Sequence, residues 1–302
     1  MIVNFAELLG CTPEELSGPA LQAISVGNFK HRVLNDNEQR EAQAQVVRYL
    51  DSGVLCSVSD DSVSEERQKL WERCYGESAI LPPFLVKPAG QPVRLSGRYV
   101  LPESTLFEVD FLAVVRAYLF DKYFQGVRSV AEFGCGTGHN LLALAKQQPG
   151  KVVFGLEWSK QALEHVNKLR QQGVQAHAVE FDMLSSNEDC IHFNLKEVGV
   201  LTVGALEQVG RRFEEFLCFL LAHQPPIIVH LEPIIELYNE NNSFDQLAIR
   251  YQRARGYLEG YLPALQRLAR HGLAEILEVR RIPFGSFYHE AYTYIVWRPT
   301  RG

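Results

Sequence analysis

The feature that most constrains this chain is a short apolar run, Val127 to Phe133, that ends in Gly134-Cys135-Gly136-Thr137-Gly138 and runs on into helical periodicity from about Asn140 to Gln147. Glycines in such a turn let backbone approach a ligand closely, and the helix behind it offers unpaired N–H groups. The alternation then repeats. Val152 to Leu156 reads as a strand, Ser159 to Gln172 as a helix closed by Gly173, and Ala176 to Phe181 as a strand. Val198 to Val203 is a fourth strand, Leu206 to Ala222 a helix, and Ile227 to Leu231 a fifth strand after Pro225-Pro226. Strands separated by helices imply right-handed crossovers and a mainly parallel sheet with helices on both faces. After a helical stretch from about Phe244 to Arg270, the runs Ala274 to Arg281 and Tyr292 to Trp297 follow without a helix between them, which only an antiparallel pairing allows. The expectation is a doubly wound α/β fold with a seven-stranded, mainly parallel sheet whose last strand is antiparallel.

The first hundred residues are less regular and are expected to be mostly helical. Thr12-Pro13-Glu14-Glu15 has the form of a capping box with proline at the first helical position. Ser62 with Glu65 repeats the cue, for a helix through Leu70 and Trp71 that stops near Gly76. Prolines and glycines crowd the stretch from Leu81 to Pro102 and mark it as a connection. This divides the chain into an N-terminal region, 1–100, and an α/β domain, 101–302. Phe107, Phe111, Leu112, Val114, Val115, Tyr118 and Leu119 fall mostly at helical spacing, so a helix leads into the first strand. With Trp71, Tyr75 and Tyr99, the N-terminal region can serve as a lid, a packing element or a surface for homodimerisation.

Composition narrows the class. No apolar run approaches the ~18 residues that span a bilayer, so no membrane span is expected. The start, Met1-Ile2-Val3-Asn4-Phe5, lacks a secretory pattern, and Cys11, Cys56, Cys74, Cys135, Cys190 and Cys218 form no Cys-x-x-Cys pair. Reduced thiols in a cytoplasmic protein without a metal site are expected. A formal net charge of −6 disfavours a nucleic-acid partner, whose affinity rests on Lys and Arg.

Acids sort the glycine loop among nucleotide-binding chemistries. His139 stands where a dinucleotide fingerprint needs a small residue, and Glu132, two residues before Gly134, would repel a pyrophosphate but attract an ammonium group. Glu157 ends the second strand, placed to accept bonds from ribose hydroxyls, with Trp158 beside it as an apolar face for adenine or as simple packing. Asp182 ends the third strand with Met183 next to it, suited to an adenine amino group. These acids lie at the sheet edge where open α/β sheets bind ligands. A tight turn alone would explain the glycines but not acids at three successive strand ends.

Val130-Ala131-Glu132-Phe133-Gly134-Cys135-Gly136-Thr137-Gly138, Gly155-Leu156-Glu157 and Glu180-Phe181-Asp182-Met183 resemble the first three motifs of class I S-adenosylmethionine (SAM)-dependent methyltransferases, which have a Rossmann-like fold. Leu201-Thr202-Val203-Gly204-Ala205-Leu206-Glu207-Gln208 is similar to the fourth. The resemblance covers about Phe107 to Trp297. It implies SAM as cofactor, held by Glu132, Gly134, Cys135, Gly136, Gly138, Asn140, Glu157, Trp158, Asp182, Met183 and Val203. It also implies a final antiparallel strand inserted between the fifth and sixth. The family's Asn-Pro-Pro-Tyr variant for amino methylation is absent from the fourth motif, and no Pro-Cys pair offers a nucleophile for pyrimidine C5. Cys135 reads as a small buried filler.

Methyl transfer from a sulfonium is an in-line displacement, so aligning donor and acceptor is the main task; a base is needed when the acceptor keeps its proton, as a hydroxyl does. His289, in the turn between the last two strands, is the candidate base, with Glu232 or Glu290 orienting it; a solvated loop histidine is the plainer alternative. Tyr288 is a candidate wall of the acceptor site. Arg250, Arg253 and Tyr257 are candidates to clamp an anionic group on the acceptor, the alternative being a solvated helix face. The expected activity is methylation of a small-molecule acceptor at a hydroxyl oxygen of a sugar, lipid or secondary metabolite. Methylation of a protein or tRNA, and a non-catalytic partner-binding protein of the same fold, are the alternatives.

Overall fold

In the computed structural model, residues 3–55, 81–185 and 191–300 are described. The capping cue at Ser62 and Glu65, with Trp71 and Tyr75, lies outside them, as do Cys56, Cys74 and Cys190. In chain order the elements are α1 (Phe5–Leu9), α2 (Gly18–Val26), β1 (His31–Val33), α3 (Asp36–Asp51), β2 (Val93–Leu95), β3 (Arg98–Pro102), α4 (Phe107–Phe124), β4 (Ser129–Phe133), α5 (His139–Gln147), β5 (Val152–Glu157), α6 (Lys160–Gln171) and β6 (Ala176–Glu180). They continue with β7 (Val198–Val203), α7 (Glu214–His223), β8 (Ile228–Leu231), α8 (Ser243–Arg255), α9 (Tyr261–Arg270), β9 (Ala274–Arg280), β10 (Phe284–Gly285) and β11 (Tyr294–Pro299).

The main sheet has seven strands in the order β6-β5-β4-β7-β8-β11-β9. β4 to β8 pair in parallel, and β11 runs antiparallel to both β8 and β9, inserted between them as expected. Successive side chains point to opposite faces. Val130, Val153, Leu201, Val229 and Val296 pack beneath Phe111, Leu141 and Val166 from α4, α5 and α6. Ala131, Phe133, Leu156, Val200, Ile228 and Trp297 pack against Phe216 and Leu220 of α7 and Leu262 and Leu265 of α9. Both faces are therefore apolar, and polar groups on the central strands concentrate at their C-terminal ends.

Three local readings change. The segment 206–222 opens as a 3-10 helix over Leu206–Arg212, broken at Gly210, before α7 begins. The stretch 244–270 is two helices, because Gly256 takes a left-handed φ of 65° and closes α8. At Thr12 only a three-residue 3-10 turn forms, with Glu15 accepting the Thr12 N–H at 2.7 Å; the helix proper starts at Gly18, capped by Ser17.

Beside its helices, the N-terminal region contributes β1, β2 and β3 to a second, antiparallel sheet of order β1-β3-β2-β10. The stretch expected as a connection holds the β2–β3 hairpin, whose two-residue turn Ser96-Gly97 takes positive φ at both positions (51° and 77°), the twist-compatible hairpin geometry. Its fourth strand, β10, lies in the turn between β9 and β11, with Phe284 opposite Leu95 and Gly285 opposite Arg94. Phe284 also stacks on Phe111 at 3.7 Å, so the second sheet and the main sheet share one apolar core. Among the described residues no helix is long and apolar enough to cross a membrane.

Candidate functional site

The loop after β4 bends through Gly134, Gly136 and Gly138 at φ of 71°, 52° and 73°, values that side chains resist. A Cβ on Gly134 would lie 2.4 Å from the Ala205 Cβ, so the turn after β4 and the turn after β7 touch through that absent side chain. The Gly134 N–H donates to the Leu156 carbonyl at 2.8 Å, which ties the loop to the end of β5. Cys135 is buried, and burial pushes its thiol well above the ordinary range. A Cβ on Gly155 would sit 2.9 Å from its sulfur, so the thiol occupies the space that glycine leaves.

Glu132 is fully buried at the end of β4. Its Oε1 accepts from Asn140 Nδ2 at 2.6 Å, while its Oε2 has no hydrogen-bond partner among the described residues. Burial pushes the carboxyl up to about 8, against the pull of Asn140 and of Arg116 on α4. Arg116 donates to Asn140 Oδ1 at 2.8 Å. Sequence reasoning missed Arg116; the available signal was a lone cation inside the apolar run 111–120. Glu157 takes the Gly136 N–H at 3.3 Å and the Trp158 N–H at 3.1 Å, so the second acid is bound to the glycine loop itself. Burial pushes it up to about 7. Asp182 accepts the Leu184 N–H at 2.9 Å, and Met183 beside it reaches towards Gly134. Trp158 is exposed, Val203 is half-buried at the end of β7, and His139 opens α5.

At the other end of the site the side chains arrange themselves differently from the expected dyad. Glu232 is held by backbone: its Oε1 accepts from the N–H groups of Ala205 and Leu206, and its Oε2 from that of Glu207, each at 3.1 Å. It therefore caps the helical turn after β7 and does not orient His289. Glu290 is gripped by Arg281, Nε to Oε2 at 2.7 Å and Nη2 to Oε1 at 2.9 Å. His289 is buried, with Nδ1 3.0 Å from the backbone oxygen of Glu290. Its ring stacks on Tyr251 at 5.1 Å and meets Tyr257 edge-on at 5.7 Å. Burial pushes its pKa down to about 3.

Tyr288 also stacks on Tyr251, at 5.0 Å, and meets Tyr49 of α3 at a tilt, at 4.8 Å. Arg250 and Arg253 are exposed and occupied by carboxylates: Arg250 by Asp51 at 2.7 Å, Arg253 by Glu259 at 3.2 Å and Glu240 at 3.7 Å. Of the arginines in the 250–257 segment, Arg255 is the one that lies over Tyr257, at 5.5 Å. Glu132, Asn140, Glu157 and the glycine loop are thus brought together, whereas Arg250 and Arg253 point to the surface.

Residues 127–200 match the model of a family described as "Putative methyltransferase". No curated protein matches the chain. Among solved structures, the chain is similar to the N-methyltransferase NodS of Bradyrhizobium japonicum, solved with S-adenosyl-L-homocysteine, at 12% identity and a TM-score of 0.51, over 78% of this chain and 98% of that one. It is also similar to an N,N-8-amino-8-demethyl-D-riboflavin dimethyltransferase of Streptomyces davawensis, at 15% identity and a TM-score of 0.44, over 65% of this chain. The chain spans 57% of the length of that enzyme. The sheet order is that of a methyltransferase fold, and residues 127–200 within it are the segment that matches the methyltransferase family.

Proposed function

We propose that this chain transfers a methyl group from SAM to a hydroxyl oxygen of a small molecule, with His289 as proton acceptor. The observation that carries the cofactor reading is Glu132 Oε2, a fully buried carboxylate oxygen without a partner among the described residues, beside a glycine cradle that a Cβ would fill. A buried acceptor of that kind is costly unless a donor meets it, and an α-ammonium group supplies both hydrogen bond and charge. SAM, when bound, supplies an electrophilic methyl group on a sulfonium. In this reading Glu157 accepts the ribose hydroxyls and Asp182 the adenine amino group, with Trp158, Met183 and Val203 bordering the base. Asn140 positions Glu132, and Cys135 fills space beneath the loop.

His289 suits a hydroxyl acceptor. Its Nδ1 faces a backbone carbonyl, so Nδ1 carries the proton and Nε2 keeps its lone pair. Held near a pKa of 3, the ring is neutral at working pH and weakly basic. Weak basicity suffices, because a hydroxyl oxygen becomes strongly acidic as it gains a methyl group, and the proton passes to Nε2 as the new C–O bond forms. Tyr288, Tyr257 and Tyr251 wall the acceptor. The N-terminal region packs over this end, through Tyr49 on Tyr288 and Asp51 on Arg250, which supports its role as a packing element of the acceptor site.

The test is transfer of label from methyl-tritiated SAM to a panel of sugars, phenols and hydroxylated lipids. Wild-type protein moves label to a hydroxyl compound, and His289→Gln lowers the rate by ~10²–10⁴-fold with cofactor affinity retained. Equal rates in the two proteins would remove His289 from the mechanism.

A further inference from the structure

The bidentate grip on Glu290 has a reach beyond that carboxylate. Every donor of the Arg281 guanidinium is used: Nε on Glu290, Nη2 on both Glu290 and Asp245, and Nη1 on Asp245 at 2.8 Å and on the Leu237 carbonyl at 3.2 Å. The guanidinium also lies over the Tyr238 ring at 4.6 Å. Tyr238 in turn holds the Glu290 peptide, its hydroxyl accepting the Glu290 N–H at 2.9 Å and facing the Glu290 oxygen at 3.4 Å. Arg281 thus fixes residue 290 by its side chain directly and by its backbone through Tyr238. The Glu290 backbone oxygen is the one that faces His289 Nδ1.

We propose that Arg281 is a positioning residue that sets the tautomer of His289: by immobilising the Glu290 carbonyl it keeps the ring proton on Nδ1 and the lone pair on Nε2. The inference rests on reading His289 as the proton acceptor, but the geometry behind it needs neither cofactor nor substrate. A planar fork with five donors is required, so lysine cannot replace Arg281. The ring's remaining neighbours do not select a tautomer. Tyr251 and Tyr257 fix its plane. Lys87 ahead of β2, Arg94 on β2 and Arg255 on α8 only disfavour its protonation, and Tyr288 precedes it in the same turn.

The experiment is nitrogen NMR of the full chain with ring-labelled histidine, with His289→Gln used to assign His289 among the nine histidines. Wild type, Arg281→Lys and Glu290→Gln are compared, and thermal melts confirm that each is folded; the isosteric Glu290→Gln keeps the test open if the arginine variant does not fold. The expected result is an Nδ1–H tautomer in wild type and a mixed or Nε2–H population in a folded variant, with methyl transfer lowered at least about tenfold. An Nε2–H ring in wild type, or an unchanged Nδ1–H ring in both folded variants, would overturn the inference. A tautomer shift in a protein that transfers no methyl group would instead contradict the proposed function and leave the positioning role standing.

Discussion

Asn140 donates to Glu132 across 2.6 Å while its own oxygen accepts from Arg116, so a neutral amide stands between a buried carboxylate and a buried guanidinium. The two charges are close enough to influence one another yet share no direct bond in this arrangement. Burial pushes Glu132 up to about 8 and Arg116 down to about 10. The result is a carboxyl group that is easily neutralised when alone and is drawn into ionisation by a cation. That is the property a site for an ammonium group needs.

Glu132→Gln tests it. The amide keeps an acceptor for Asn140 but cannot ionise to meet a cation, so SAM affinity is expected to fall by about tenfold or more, with little loss of thermal stability below about pH 8, where the carboxyl it replaces is itself largely neutral in the ligand-free protein. Calorimetric titration beside a thermal melt measures both. Unchanged affinity would separate Glu132 from the cofactor.

The raised carboxyls also set a pH dependence. Glu132 moves from 4.5 to about 8 and Glu157 from 4.5 to about 7, so between those values the folded protein binds more protons than the unfolded chain. Their contribution to stability is present below the unfolded value and is lost as pH rises through the folded value. The ligand-free protein should therefore melt at lower temperature at about pH 8 than at about pH 6, and SAM binding should release protons and tighten across that interval, by up to roughly fiftyfold from Glu132 alone. Titration in buffers of different ionisation enthalpy reads the proton count directly.

Gly134→Ala is expected to cost ~1–3 kcal/mol, from the positive φ and from the Ala205 Cβ that the new methyl group would meet at 2.4 Å. Chemical denaturation measures the loss. A neutral substitution would mean that the turns after β4 and β7 can separate.

Glu232→Gln tests the reading of this carboxylate as a cap on the turn after β7. Its carboxylate serves three backbone N–H groups, and an amide can serve fewer, so unfolding free energy should fall by ~1–3 kcal/mol while SAM affinity changes less than in Glu132→Gln. Denaturation and titration together decide it.

What could be read from the sequence was local. Glu132, Glu157 and Asp182 stand next to the strand ends and glycines that define them, and a strand–turn–helix repeat carries its own period, so the sheet and the placement of acids along its C-terminal edge were legible. The second sheet was not, because β1, β2 and β10 are three, three and two residues long and leave no period to detect. The helix break at Gly256 depended on a left-handed φ inside a stretch that otherwise reads as continuous. Side-chain partnerships across elements were the least legible. Arg281 and Glu290 are nine residues apart in sequence and meet because β9 and β11 bring the chain back on itself. In the same way Arg250 was taken up by Asp51, far away in sequence, leaving Arg255 to face Tyr257.

The most direct measurement is calorimetric titration of the purified chain with SAM and with its demethylated product, beside Glu157→Ala. Micromolar binding by wild type, lost in the variant, is the result the account predicts. A folded wild type that binds neither compound would contradict it and leave a protein of methyltransferase fold that acts by binding a partner.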